Sequence, residues 1–164
     1  MPTELEYQAR VKNFTWTDLK TLWDAIENGD TPGWDDGKAL EYLILKSFSL
    51  SGAEVRWPYS VKLLGAEIEQ IDGFVHFKGV SCLIECKDYS TRSDGTIRKK
   101  NVNFEPIAKL RNQLMRRPSA TIGSIFSSGG FTDPAQTLIN FTFPQTILTW
   151  TGAEIEYCLG KKDL

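Results

Sequence analysis

The thirteen-residue step from Asp72 to the triplet Glu85-Cys86-Lys87 constrains this chain more than any other feature, because it fits two strands folded back on each other. A two-residue reversal at Lys78-Gly79 sets Asp72 directly opposite Glu85, and Gln70 opposite Lys87. Side chains alternate along a strand, so Glu85 and Lys87 share a face. One strand face therefore gathers two carboxylates and an ammonium.

Directly paired strand residues have Cβ atoms about 4.5–5.5 Å apart, and like charges at that spacing destabilise a sheet. Two carboxylates there repel by about 1 kcal/mol in water and about 4 kcal/mol at an intermediate dielectric. A cation is called for. A hard divalent ion held by oxygen ligands, magnesium with manganese as its substitute, suits one or two carboxylates plus phosphate and water. Lys87 would orient or deprotonate a water, or stabilise charge on a phosphate, and phosphodiester hydrolysis unites these parts. The plain alternative is a salt bridge among Asp72, Glu85 and Lys87. With 21 acidic residues in the chain, roughly 1.5 acid-x-lysine triplets are expected by chance. Asp18-Leu19-Lys20, Asp36-Gly37-Lys38 and Glu85-Cys86-Lys87 all occur, and only the last follows an apolar strand-like run, Val80-Ser81-Cys82-Leu83-Ile84.

The 164 residues suit one domain, 1–164, with residues 1–33 a helical addition to its core. No apolar run approaches the ~20 residues of a membrane span. Met1-Pro2-Thr3-Glu4 lacks a secretory pattern, so a cytoplasmic location is expected. Three cysteines argue against a disulfide framework; Cys82 and Cys86 fall on one strand face, opposite Val75 and Ile71, as buried thiols. A single histidine, His76, fits a half-buried structural place, which together with the cysteine spacing makes zinc chemistry a poor fit. The net charge of −2 does not favour nucleic acid. Basic residues nevertheless cluster: Arg92, Arg98, Lys99 and Lys100 in one loop, Arg111, Arg116 and Arg117 on the following helix, each group able to meet a phosphate backbone or simply to face solvent.

Along the chain, Trp16, Leu19, Leu22, Trp23 and Ile26 recur at helical spacing behind a Thr15/Asp18 capping box. A second helix over about 36–50 buries Leu40, Leu43, Ile44 and Phe48, with Glu41 beside its apolar stripe. Strands near 53–58, 66–77 and 80–87 form an antiparallel meander, apolar on both faces except where the acids lie, which implies a sheet covered on both sides with one polar notch. The polar stretch from Asp88 to Asn103 reads as a long loop. A helix over about 104–117, a strand at 121–127, a helix capped by Thr132 or Asp133 around Pro134, a strand at 145–150 and a helix from about 152 complete the chain.

Four blocks, Gly37-Lys38-Ala39-Leu40-Glu41, Ile71-Asp72-Gly73, Glu85-Cys86-Lys87 and Ser127-Ser128-Gly129-Gly130-Phe131-Thr132, resemble the PD-(D/E)xK, restriction-endonuclease-like phosphodiesterases, and within them the Mrr-type domains. The resemblance runs from about Gly37 to Gly160. It implies an α/β three-layer sandwich with a mixed central sheet flanked by helices. It implies a magnesium-dependent DNA endonuclease with Asp72 and Glu85 as metal ligands, Glu41 assisting directly or through water, the Cys86 backbone carbonyl as a further ligand, and Lys87 positioning the nucleophilic water with Gln70 fixing its orientation. DNA would be met by Arg98, Lys99, Lys100 and Arg111, and by the turn at Ser127, Ser128, Gly129 and Thr132, whose N–H groups suit a phosphate. Ile71 stands where the family motif often has proline. Cutting both strands of a duplex would call for a homodimer. Two alternatives stay open: a structure-specific nuclease of the Holliday-junction type, and a domain of the same fold that binds nucleic acid or protein without cleaving.

Overall fold

The computed structural model describes residues 2–89 and 101–164. The chain opens with α1 (Glu4–Val11), α2 (Trp16–Glu27) and α3 (Lys38–Leu50). The capping box expected at Thr15 and Asp18 is present, the Thr15 N–H donating to Asp18 Oδ2 at 2.7 Å. A second one, Thr3 with Glu6, starts α1, a helix absent from the sequence reading. Only Tyr7 and Val11 of α1 are buried, so its eight residues carry little apolar periodicity. By contrast α3 is buried nearly all round, through Ala39, Leu40, Tyr42, Leu43, Ile44 and Leu45.

The strands are β1 (Glu54–Arg56), β2 (Tyr59–Leu63), β3 (Ala66–Ile71), β4 (Gly73–Phe77) and β5 (Val80–Lys87). After them come α4 (Phe104–Leu114), β6 (Thr121–Ser127), α5 (Asp133–Ile139), β7 (Ile147–Trp150) and α6 (Gly152–Lys161). The main sheet has the order β1-β4-β5-β6-β7, antiparallel from β1 to β5 and parallel from β5 to β7. Its two faces carry separate apolar cores. On one, α2, α3 and α6 cover Val75, Cys82, Ile84, Cys86 and Phe126; on the other, α4 and α5 cover Leu83, Ile125 and Ile147. This is the three-layer α/β architecture with a mixed sheet that the sequence implied. No helix among the described residues is long and apolar enough to cross a membrane.

The hairpin turns at Lys78 (φ 47°) and Gly79 (φ 84°), the two left-handed residues that a type I′ reversal needs, and pairs Val75 with Cys82 as expected. The expected single strand over 66–77, however, is two. β4 pairs with β1, whereas β3 pairs with β2, which the sequence reading had missed, in a separate two-stranded ribbon. The register of Arg56 with Phe74 and of Tyr59 with Ile71 sets Pro58 opposite Asp72. Proline has no N–H to continue a ladder, so the pairing opens there and Asp72 leaves the sheet. Two expectations fall with this break. Gln70 pairs with Ser60 instead of Lys87, and Ile71 packs in the Leu83 core instead of beside Cys86 and Val75.

Gly73, the residue after the break, lies against Leu45 of α3, and a Cβ there would overlap the Leu45 side chain. Gly73→Ala is expected to destabilise the fold by about 1–3 kcal/mol through overpacking. Equilibrium urea denaturation checks this; an unchanged midpoint would show that α3 does not need to lie so close to β4.

Candidate catalytic site

Released from the ladder, Asp72 stands one step beyond the last β4–β5 pair, Gly73 with Ile84, and so beside Glu85. Its Oδ2 accepts the backbone N–H of Cys86 at 2.8 Å, a buried bond that ties the acid to β5. Its Oδ1 takes no hydrogen bond among the described residues. Asp72 is 7% and Glu85 1% exposed, so both carboxylates are nearly dry.

The cations sit on the outer side of this pair. Lys87 Nζ lies 2.7 Å from Glu85 Oε1, and Lys109 of α4 reaches the same carboxylate at 3.0 and 2.9 Å. Glu41, from the first turn of α3, is bonded to Lys38 at 2.7 Å, and Lys38 also pairs with Glu4. The structure thus brings Asp72, Glu85 and Lys87 together at the strand break and β5, and places Glu41 on α3 in an ion pair with Lys38. Lys38 and Lys109 were not singled out as site residues from the sequence. Lys38 looked like part of a chance triplet, and the residues before Lys109 carry no acid-x-lysine pattern, because its partner comes from another element.

Burial dominates the electrostatics of Asp72 and Glu41. Burial first, and the nearby Glu85 second, push the Asp72 carboxyl up to about 6. Burial and then Asp72 push Glu41 up to about 7, against the pull of Lys38. Burial opposes the charge on Lys87, but Glu85 outweighs it and leaves Lys87 above the ordinary lysine value. In the metal-free protein Lys87 is therefore a charged hydrogen-bond donor beside Glu85. Cys86 presents its N–H to the site, and burial raises its thiol well above the ordinary value.

Oxygen atoms of Asp72 and Glu85 are the right chemistry for magnesium or manganese, and two carboxylates satisfy that ion's usual needs. Among the described residues no group of three or more His, Cys, Asp or Glu could hold one ion, so Glu41 does not complete a three-acid cage. The residues fit an ion carried by two acids.

The remaining sequence candidates lie as follows. Arg98, Lys99 and Lys100, like Arg92, fall outside the described residues. Arg111 is partly buried on α4, its Nε without a hydrogen-bond partner among the described residues. Arg116 and Arg117 both pair with the buried Glu69 of β3, Arg117 Nη2 at 2.6 Å, and so brace the ribbon, Arg117 largely covered and Arg116 still open to solvent. Gln70 meets α4 through its backbone, its carbonyl accepting from Gln113 Nε2 at 3.3 Å. At the turn after β6, the Ser128 hydroxyl donates to Asp88 at 2.8 Å and accepts the Tyr89 N–H at 2.7 Å. Ser127 Oγ accepts the Gly129 N–H at 3.1 Å, and Thr132 caps α5 by accepting from Ala135. The turn thereby closes over the end of β5, next to Lys87.

The chain matches no protein-family model and no curated protein. Among solved structures it is similar in fold to AF1548, a protein of unknown function, with 15% identity and a TM-score of 0.54 over 71% of this chain and 62% of that one. It also aligns with the MspJI restriction endonuclease in complex with a 27-mer oligonucleotide, at 18% identity and a TM-score of 0.45 over 95% of this chain and 33% of that one. The DNA modification-dependent restriction endonuclease AspBHI aligns at 9% identity and a TM-score of 0.48, over 98% of this chain and 38% of that one. The chain spans less than two thirds of each of these proteins.

Proposed function

We propose that this chain is a metal-dependent DNA endonuclease of the restriction-endonuclease-like, Mrr-type kind, and that Asp72, Glu85 and Lys87 carry its chemistry. One observation supports the reading above the others. A strand break opposite Pro58 holds the Asp72 carboxylate against the Cys86 N–H, beside a buried Glu85 whose neighbour Lys87 stays charged. A purely structural salt bridge needs no interrupted ladder and no second buried acid.

In this reading Asp72 and Glu85 hold a magnesium or manganese ion, with the Cys86 carbonyl as a further ligand and Glu41 acting through water. The ion, when bound, supplies Lewis-acid polarisation of a phosphate oxygen and a lowered pKa for water. Lys87 aligns the attacking water and donates to the phosphate as charge develops there, a preorganised electrostatic contribution. In this reading the Ser127–Thr132 turn, Arg111 and the basic residues Arg98, Lys99 and Lys100 are the contacts to DNA. A homodimer would supply the two sites that a double-strand cut requires.

A second reading is favoured by the lysines. Lys38, Lys87 and Lys109 already face Glu41 and Glu85, the charge balance of a domain that binds nucleic acid or protein without cutting. Incubation of the protein with supercoiled plasmid, linear duplex and four-way junctions, with magnesium or manganese, separates the readings. Nicking or linearisation supports the endonuclease, and binding without any cleavage supports the second reading. If junctions compete far better than linear duplex of equal length, the enzyme is structure-specific.

A further inference from the structure

We propose that Lys109 is the resident counter-cation of Glu85, a positioning residue that a divalent ion must displace before it can use that carboxylate. The inference rests on the metal-dependent reading of the site. Glu85 is 1% exposed, and both of its oxygens are already covered: Oε1 by Lys87 and Lys109, Oε2 by Lys109. An ion approaching either oxygen therefore meets the positive charge of an ammonium already bonded there, and Lys109 is bonded to both.

The two lysines differ in how easily they can move. Lys87 belongs to β5 itself, paired with Ser127 of β6, and its side chain is 29% exposed. Lys109 arrives from α4 with a side chain that is 44% exposed, on a helix anchored by Ile107, Leu110 and Leu114. The helix fixes where the ammonium enters while its long, flexible chain lets it withdraw into water. Lys109 thus holds the Glu85 carboxylate in place in the metal-free protein and retreats when an ion arrives. Cation and ammonium compete for one carboxylate, so each weakens the other by the same factor.

Calorimetric titration with manganese, at pH 8 and low ionic strength, tests this on the native protein, Lys109→Gln and Lys109→Arg. The expected order of affinity is Lys109→Gln tightest, by about tenfold over native, with Lys109→Arg equal to or weaker than native because it keeps the charge. A lysine that merely supported the fold would give the opposite sign, since its loss would loosen the site and weaken manganese. Native binding with equal or weaker binding by Lys109→Gln would overturn the inference and leave the metal site standing. Tighter binding by Lys109→Arg would also overturn it. No manganese binding by the native protein would overturn the metal reading, and this inference with it.

Discussion

Lys87→Ala is expected to lower the rate of plasmid cleavage by about 10²–10³-fold, the cost of removing one preorganised donor from a developing charge. Manganese binding should persist, because the ligands are the carboxylates. Stability should change little, since Lys109 still covers both oxygens of Glu85 after Lys87 is gone. This separation of rate from binding and folding makes the variant informative. Burial works against the Lys87 charge and Glu85 outweighs it, so the side chain is an ammonium in the metal-free protein. Nicking rates under single-turnover conditions with saturating magnesium are the measurement. A fully active Lys87→Ala protein would reduce Lys87 to a counter-ion of Glu85.

Asp72→Asn is expected to move function and stability in opposite directions. Manganese affinity should fall by at least about 100-fold, since a ligating carboxylate is lost along with its charge. The metal-free fold, however, should become more stable at pH 8. Asp72 and Glu41 have folded values raised to about 6 and about 7, above their unfolded values, so between about pH 4 and pH 7 the native state binds more protons than the unfolded one. Stability is therefore greatest at the acid end of that window and is lost as the pH rises through it. Asparagine keeps an acceptor for the Cys86 N–H and removes the charge that burial and Glu85 oppose. The gain at pH 8 is on the order of 2 kcal/mol, or about 4–8 °C in Tm for a chain of this size. It should shrink as the pH falls below about 6 and vanish only near pH 4 and below, where Asp72 is protonated in the unfolded chain as well. Thermal unfolding of both proteins in chelator at pH 8 and at about pH 4 checks the claim, and a destabilised Asp72→Asn protein at pH 8 would contradict it.

Much of the site could be read from sequence because it depends on a short-range device. Lys78-Gly79 is a two-residue reversal with defined backbone angles, and counting outward from it places Asp72 beside Glu85. The counting fails beyond Asp72, where Pro58 on the facing strand interrupts the ladder. That signal was legible, since a proline in a strand marks an edge or a break, but its partner in the register was not fixed until the ribbon turn at Leu64 and Gly65 was known. Lys109 was out of reach for a different reason. Its contact with Glu85 joins α4 to β5 across 24 residues, 90–100 among them, and no local pattern encodes a long-range ion pair. The pairing of Arg116 and Arg117 with Glu69 is of the same kind: exposed-looking arginines at a helix end acquired a buried partner from another element.

The central claim is that Asp72 and Glu85 together hold one divalent ion, and crystals of the native protein soaked in manganese test it most directly through anomalous scattering. The expected result is a single strong peak within ligand distance, about 2.0–2.3 Å, of an oxygen from each of the two carboxylates, with Lys109 drawn away from Glu85. A map at saturating manganese with no peak there, and Lys87 and Lys109 still on Glu85, would contradict the account.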